Sequence, residues 1–443
     1  MIRTAPPSQK ARDMPGDDEL ISGWLRDGNP AAVSIEADPH SAGIDAFGRV
    51  RVSQPVDIFD SQFEYDEQPL LWDSFITGSA ATQHNHAFSS VELGVSGSFS
   101  VALRQSRGYF RYQPGKSQLI NETFFHVPRA DSLYRIGYYD DNDGIFLEHS
   151  GTAVSVVLRS SAAGSVSENR APQAVWNLDR LDGSADGRNP SGYDLDIAQT
   201  QHLVIDTQWL GVGRARIGFF IGGVPHYVHE FNSANQQALP LMHTANLPLR
   251  SELRGLAAMG TPDEAQQICA SISSEAGRTE ERGKPFVASR RNISKAVATS
   301  FLPILSIRPA ATFKGHVNRS EIVPTMVNVL ADLADINWEL LWGPIVSGSG
   351  WVQVDSESGV EYDVSGSTVY GGLRVATGYV SATAAGSAVN VSQKERIQSK
   401  LRLALDIAGA HRLSGYTDNL TLVAAAGTGT ATVAASIEGL ELR

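Results

Sequence analysis

One cysteine, Cys269, occurs in 443 residues. That scarcity excludes intrachain disulfides and cysteine-based zinc sites, and it places folding in a reducing compartment or leaves the fold to packing and assembly. Nowhere does the chain approach the roughly 18 uninterrupted apolar residues of a membrane-spanning helix, so no membrane insertion is expected. The opening stretch MIRTAPPSQKARDMPGDDEL lacks the apolar centre of a secretory signal. The expectation is a chain made and folded in a cytoplasm, reaching the outside by lysis or on a particle. Basic charge is also short: 36 Lys and Arg stand against 48 Asp and Glu, a net charge of −12. Such a chain gains little from counterion release, which argues against nucleic acid as the main partner. What is present is a folded composition, 42% hydrophobic and 19% charged. At roughly 150 residues per domain the length suggests three domains, which large all-β sandwiches reduce to two.

The pattern along the chain is β-type. In LVIDTQWLGVGRARIGFFIGG, Leu203, Ile205, Thr207 and Trp209 share one face. Ala215, Ile217, Phe219 and Ile221 share another, with Arg214 and Arg216 pointing the opposite way. Period-two runs around Gly211 and Gly213 predict two strands about a turn or bulge. Gly222-Gly223 predicts a two-residue hairpin turn, because glycine takes positive φ without penalty. YRIGYYDDNDGIFLE predicts another hairpin. Ser392 and Glu395 give a capping-box signature ahead of SKLRLALDIAG, yet the strict alternation of that run predicts a strand. The Gly-, Ala- and Thr-rich run from Ala424 to Ala435 suits a closing hairpin packed closely on a neighbour. These patterns give an all-β fold. It has an N-terminal arm over 1–45, a lectin-like β-sandwich over 46–280 and a C-terminal β-sandwich over 281–443, joined near 276–300. In the arm, Leu20, Trp24 and Leu25 are the large apolar anchors. The segment reads as a flexible tail, or as an arm that orders against a neighbouring protein.

Sites of known chemistry were sought and mostly fail. Pro114-Gly115-Lys116-Ser117 ends like a phosphate-binding loop, but Phe110 stands where that loop needs glycine. Asp140, Asp141, Asn142, Asp143 and Gly144 resemble a calcium loop; in EF-hand register the first and twelfth ligands would be Tyr139 and Ser150, both wrong. A non-EF calcium loop and a solvated hairpin tip are the alternatives left open. Glu64-Tyr65-Asp66 and Glu361-Tyr362-Asp363 begin the paired-carboxylate pattern of jelly-roll glycosidases, and both lack the final Glu. His84 with His86, and His226 with His229, provide two imidazoles each without a visible third ligand. Trp72, Trp176, Trp209, Tyr138 and Tyr139 suit either sugar stacking or a sandwich core. The expectation is no enzyme, no cofactor and no metal.

Longer segments carry a resemblance. RVRVSQPVDIFDSQFEYDEQPLLWD, FRYQPGKSQLI, YRIGYYDDNDGIFLE, WNLDRLDG, IDTQWLGVGRARIGFFIGGVPHYVHEF, HTANLPLR and LSIRPAATFKGHVNR follow one another in this order. In this the chain resembles a class of large tailed-bacteriophage virion proteins, closely over residues 48–330 and loosely beyond. The resemblance implies a lectin-like, jelly-roll-type domain, a place on the capsid surface or tail, and no catalytic residues. It also implies a virion location and other virion proteins and copies of the chain itself as partners, with a trimer as the expected oligomer. A decoration protein, a tail-fibre part, or a receptor-recognition protein binding a host surface glycan are the forms such a component takes.

Overall fold

The computed structural model describes residues 55–256, 259–275, 283–289, 294–382, 388–391, 412–413, 416–417 and 419–443. The arm anchors Leu20, Trp24 and Leu25 and the strand expected over 399–409 lie outside the described residues. Strands dominate what is described. Its single helical turn is a 3-10 turn at Gln173–Val175, so the all-β reading holds. Two antiparallel β-sandwiches are present, one built from strands between Val56 and Ser274, the other from strands between Lys284 and Leu442.

The first sandwich packs an eight-stranded sheet on a seven-stranded one. Alternation decides which side of each strand is apolar. In Gln201–Gln208, paired with Arg214–Ile221, Leu203, Ile205, Ala215, Ile217 and Phe219 are buried, while Arg214 and Arg216 face away. Gly222 and Gly223 then turn the chain with φ of +61° and +83°, the two positive values of a type I′ hairpin, and Ile221 pairs with Val224. The core between the sheets gathers Phe63, Trp72, Phe124, Ile136, Phe219 and Trp176 with many aliphatic residues. Each large apolar side chain removed from water contributes about 1.5–3 kcal/mol before ordering costs. The opening strand Val56–Gln62 pairs with the closing strand Asp263–Ser274, so this sandwich is tied shut by its own ends.

The second sandwich packs a five-stranded on a six-stranded sheet. Its construction corrects one sequence expectation. Leu420–Ala426 and Ala431–Leu442 do not pair as a hairpin: the first lies between Leu302–Pro309 and Ile336–Trp342, the second pairs with Lys284–Ser289, Lys295–Val297 and Glu321–Asp332 in the other sheet. The chain crosses from one sheet to the other at 427–430. Ala424, Ala426, Ala431 and Ala435 are small because two sheets of the same chain meet there. Their close neighbour is internal.

The two cores are separate, yet 56–443 forms one compact unit. Charge and aromatic contacts join the sandwiches. Arg319 donates to Asp140 Oδ2 from Nε at 3.1 Å and from Nη2 at 2.7 Å. Its guanidinium also lies 5.9 Å from the Tyr109 ring centre, and Arg107 sits 4.8 Å over Trp342.

Candidate functional site: the outer face of the seven-stranded sheet

Strand alternation turns one set of side chains into the core and leaves the other on the outer face of this sheet. In Ser132–Tyr139 the outward set is Arg135, Gly137 and Tyr139; in Gly144–Ser150 it is Gly144, Phe146 and Glu148. Ala153–Ser160 adds Val157 and Arg159, Ser167–Pro172 adds Glu168 and Arg170, and Leu249–Gly255 adds Arg250, Glu252 and Arg254. Tyr139, Phe146 and Val157 form a small apolar cluster of their own, fully buried although it stands outside the core. The Tyr139 and Phe146 rings lie 4.4 Å apart. Gly144, at φ +142°, makes this arrangement feasible: a Cβ there would come within 2.1 Å of Tyr139 Cβ. Glycine beside flattened rings is a recurrent device for filling a sheet face.

Guanidinium groups cover that floor. Arg135 lies 5.3 Å from the Phe146 ring centre, Arg159 5.0 Å from Phe146 and 5.5 Å from Tyr139, and Arg250 5.3 Å from Tyr139. Carboxylates tie the guanidiniums together. Glu148 accepts from Arg135 Nε at 2.8 Å and Arg170 Nε at 2.7 Å. Glu168 Oε1 accepts from Arg159 Nε at 2.9 Å and Nη2 at 2.7 Å, and Arg170 reaches its other oxygen. Asp141 accepts from Arg250 Nη1 at 2.6 Å, while Gln105 Oε1 takes that guanidinium's other two nitrogens. Glu252 accepts from Arg254 Nε and, at 3.4 Å, from the Tyr139 hydroxyl. Burial pushes the Glu148, Glu168 and Asp141 carboxyls up, but their arginine partners outweigh it and hold all three below the usual carboxylate range. Burial raises the Tyr139 hydroxyl to about 12.

Hydrolysis of a glycosidic bond needs one carboxyl kept protonated to donate to the leaving oxygen. Glu148, Glu168 and Asp141 are instead locked as carboxylates. The raised carboxyl of this sandwich is Glu122, pushed well above its ordinary value by burial, and it sits inside between the sheets at 1% exposure. Neither of its oxygens has a partner among the described residues. A second polar string runs nearby. His126 Nε2 donates to Asp263 Oδ2 at 3.1 Å, so its Nδ1 accepts from His149 Nδ1 at 2.9 Å and His149 Nε2 is left as a bare lone pair. Burial, then the neighbouring His126, lowers His149 to about 3.

No protein-family model and no curated protein sequence matches the chain. Among solved structures, a Bacillus licheniformis beta-glucanase is similar at 11% identity, with 48% of this chain and 96% of that one covered and a TM-score of 0.29. A legume lectin-like domain from Entamoeba histolytica is similar at 10% identity, with 50% and 98% covered and a TM-score of 0.30. The catalytic domain of an endo-1,3-beta-glucanase (laminarinase) from Thermotoga petrophila gives 10% identity, 51% and 99% covered, and a TM-score of 0.32. Similarity at this level assigns no activity.

The residues singled out in the sequence fall elsewhere or acquire other roles. In Asp140–Asp143 the middle is solvated and the two ends are buried. Asp140 Oδ1 accepts from the Asn142 and Asp143 amides and its Oδ2 from Arg319, while Asp143 accepts from Ser161 and the His243 amide. Each oxygen of Asp140 and Asp143 thus already has a protein donor, and the tip works as a joint. His84 and His86 pack edge to face at 4.3 Å, with His84 Nε2 bonded to Phe63 O. His226 packs on Tyr193 and His229 on Phe231, so each imidazole is engaged with a ring of its own. Glu361 is taken by Arg308, and Asp363 by Ser365 and the amides of Gly350 and Gly366. Glu64 and Asp66 lie exposed in a turn. Trp72, Trp176, Tyr138 and Tyr139 are buried and not open to a sugar, while Trp209 is half-buried and donates to Met242 O.

The outer-face lattice escaped the motif search, since no motif describes it. One signal was available. Arg135 and Glu148 each stand four residues out from the closing pair of their hairpin, Tyr139 and Gly144, so the turn alone makes them cross-strand partners.

Proposed function

We propose that this protein is a non-enzymatic structural component of a tailed-bacteriophage virion, carried on the capsid surface or tail and assembled there as a symmetric oligomer. The resemblance over residues 48–330 supports the particle; the locked carboxylates of the outer face support the absence of catalysis, and they are the observation on which that half rests. Residues 1–45, with Trp24 as anchor, attach the protein to the particle. In a complementation assay, deletion of residues 2–45 should leave the melting temperature unchanged and abolish incorporation into particles. Normal incorporation of the truncated chain would sink the attachment role, and absence of the full chain from purified virions would sink the virion assignment. Incubation with host envelope polysaccharide should release no reducing sugar.

A second reading, recognition of a host surface glycan by the same particle protein, takes support from the arginine-studded sheet face.

A further inference from the structure

Five guanidiniums share the outer face of the seven-stranded sheet, and four of them are tied down. Arg159 uses all three nitrogens on Glu168 and the Asp140 carbonyl; Arg250 uses all three on Gln105 and Asp141. Arg135 gives Nε and Nη2 to Glu148, and Arg170 spans Glu148 and Glu168. Arg254 differs. Its Nε reaches Glu252, and neither terminal amino group has a partner among the described residues. Its side chain is 43% exposed, so the open edge of the fork faces solvent.

The surrounding charge is arranged against it. Burial first, then the like charge of Arg135 and further off that of Arg159, lower the proton affinity of Arg254; Tyr139 and Asp141 only partly offset them. On this face the carboxylates of Glu148, Glu168 and Asp141 are already taken by Arg135, Arg159, Arg170 and Arg250. Arg170 shows how this face takes a carboxylate: its Nε and Nη2 reach the two oxygens of Glu148, the parallel contact a planar fork matches best.

We infer that the free edge of Arg254, flanked by Arg135, binds the carboxylate of an acidic saccharide, a uronate or a sialate. This rests on the glycan-recognition reading and narrows it to an anionic ligand. The chain as a whole carries −12, which repels polyanions, so binding must be local to this face and must weaken with salt. The aromatic floor holds the site rigid without touching the sugar, since Tyr139 and Phe146 are covered by the guanidiniums.

The test uses the full chain on an array bearing uronate-terminated, sialate-terminated and neutral saccharides, followed by titration with polygalacturonate. Acidic saccharides should bind and neutral ones should not. R254Q should lower affinity for polygalacturonate about tenfold or more, the loss of one charge-assisted contact. R254K keeps the charge beside Glu252 but not the fork, and should fall between; it also decides the matter if R254Q does not fold. Binding to neutral saccharides alone would overturn the inference and leave glycan recognition standing. No binding to any saccharide would overturn both. Acidic binding unchanged in both variants would overturn the assignment to Arg254.

Discussion

Glu122 and His149 share one interior and constrain stability from opposite sides. The Glu122 carboxyl is kept protonated in the fold by burial, well above the 4.5 of an ordinary glutamate. The folded state therefore holds a proton that the unfolded state has lost above that pH, and stability falls as pH rises, by about 1.4 kcal/mol per unit until the folded carboxyl itself ionises. His149 works the other way. Its ring stays neutral down to about 3 in the fold, against 6.5 when unfolded, so stability falls as pH drops between those values. The two slopes cancel between about 4.5 and 6.5, which should give a plateau there. Glu122→Gln should raise the urea midpoint at pH 8 and flatten the alkaline limb, and should turn the plateau into a continuation of the acid limb up to about 6.5. An alkaline limb of unchanged slope in that variant would refute the assignment.

Turns and glycines set the elements. At Gly222-Gly223 both residues need positive φ, so replacing either by alanine should cost about 1 kcal/mol, while Gly222→Asn should be nearly neutral because asparagine tolerates that region. Gly144→Ala should cost more than either, since its Cβ meets Tyr139 with no flexible side chain to yield; urea melts of the three variants would rank them. This is also the scale at which the sequence was most readable. The hairpins at Gly222-Gly223 and at Asp140–Gly144 followed from local alternation and turn chemistry, which act within a few residues. The Leu420–Ala426 and Ala431–Leu442 strands misled for the opposite reason. Their alternation is correct, but their partners lie 78 to 157 residues away in two different sheets, and no local rule reports that. The arginine lattice was legible only where a hairpin makes partners of neighbours, as with Arg135 and Glu148; Arg250 and Arg254 arrive from a distant strand.

At the scale of the whole molecule, the two cores depend on a charged joint. Arg319 and Asp140 are both mostly buried, with side chains 14% and 5% exposed. Removing one partner of such a pair leaves an uncompensated charge, at a cost of about 3–5 kcal/mol. Arg319→Ala should therefore split a single calorimetric transition into two, one for each sandwich; a transition that stays single would show that the aromatic contacts suffice. The placement of the last two strands carries a further consequence, for the time course of synthesis. The first sandwich has every strand it needs once Ser274 has emerged from the ribosome, because its final strand, Asp263–Ser274, receives the opening one. The second sandwich has no such order. Leu420–Ala426 fills the middle of one of its sheets and Ala431–Leu442 the middle of the other, so Leu302–Pro309 and Glu321–Asp332, which meet Val360–Asp363 and Ala388–Val391 on one side, keep their other edge open while about a hundred further residues are translated. A ribosome that stalls between those two moments would hold a finished first sandwich beside a row of open strand edges, the state in which this chain is most exposed to aggregation and to proteases.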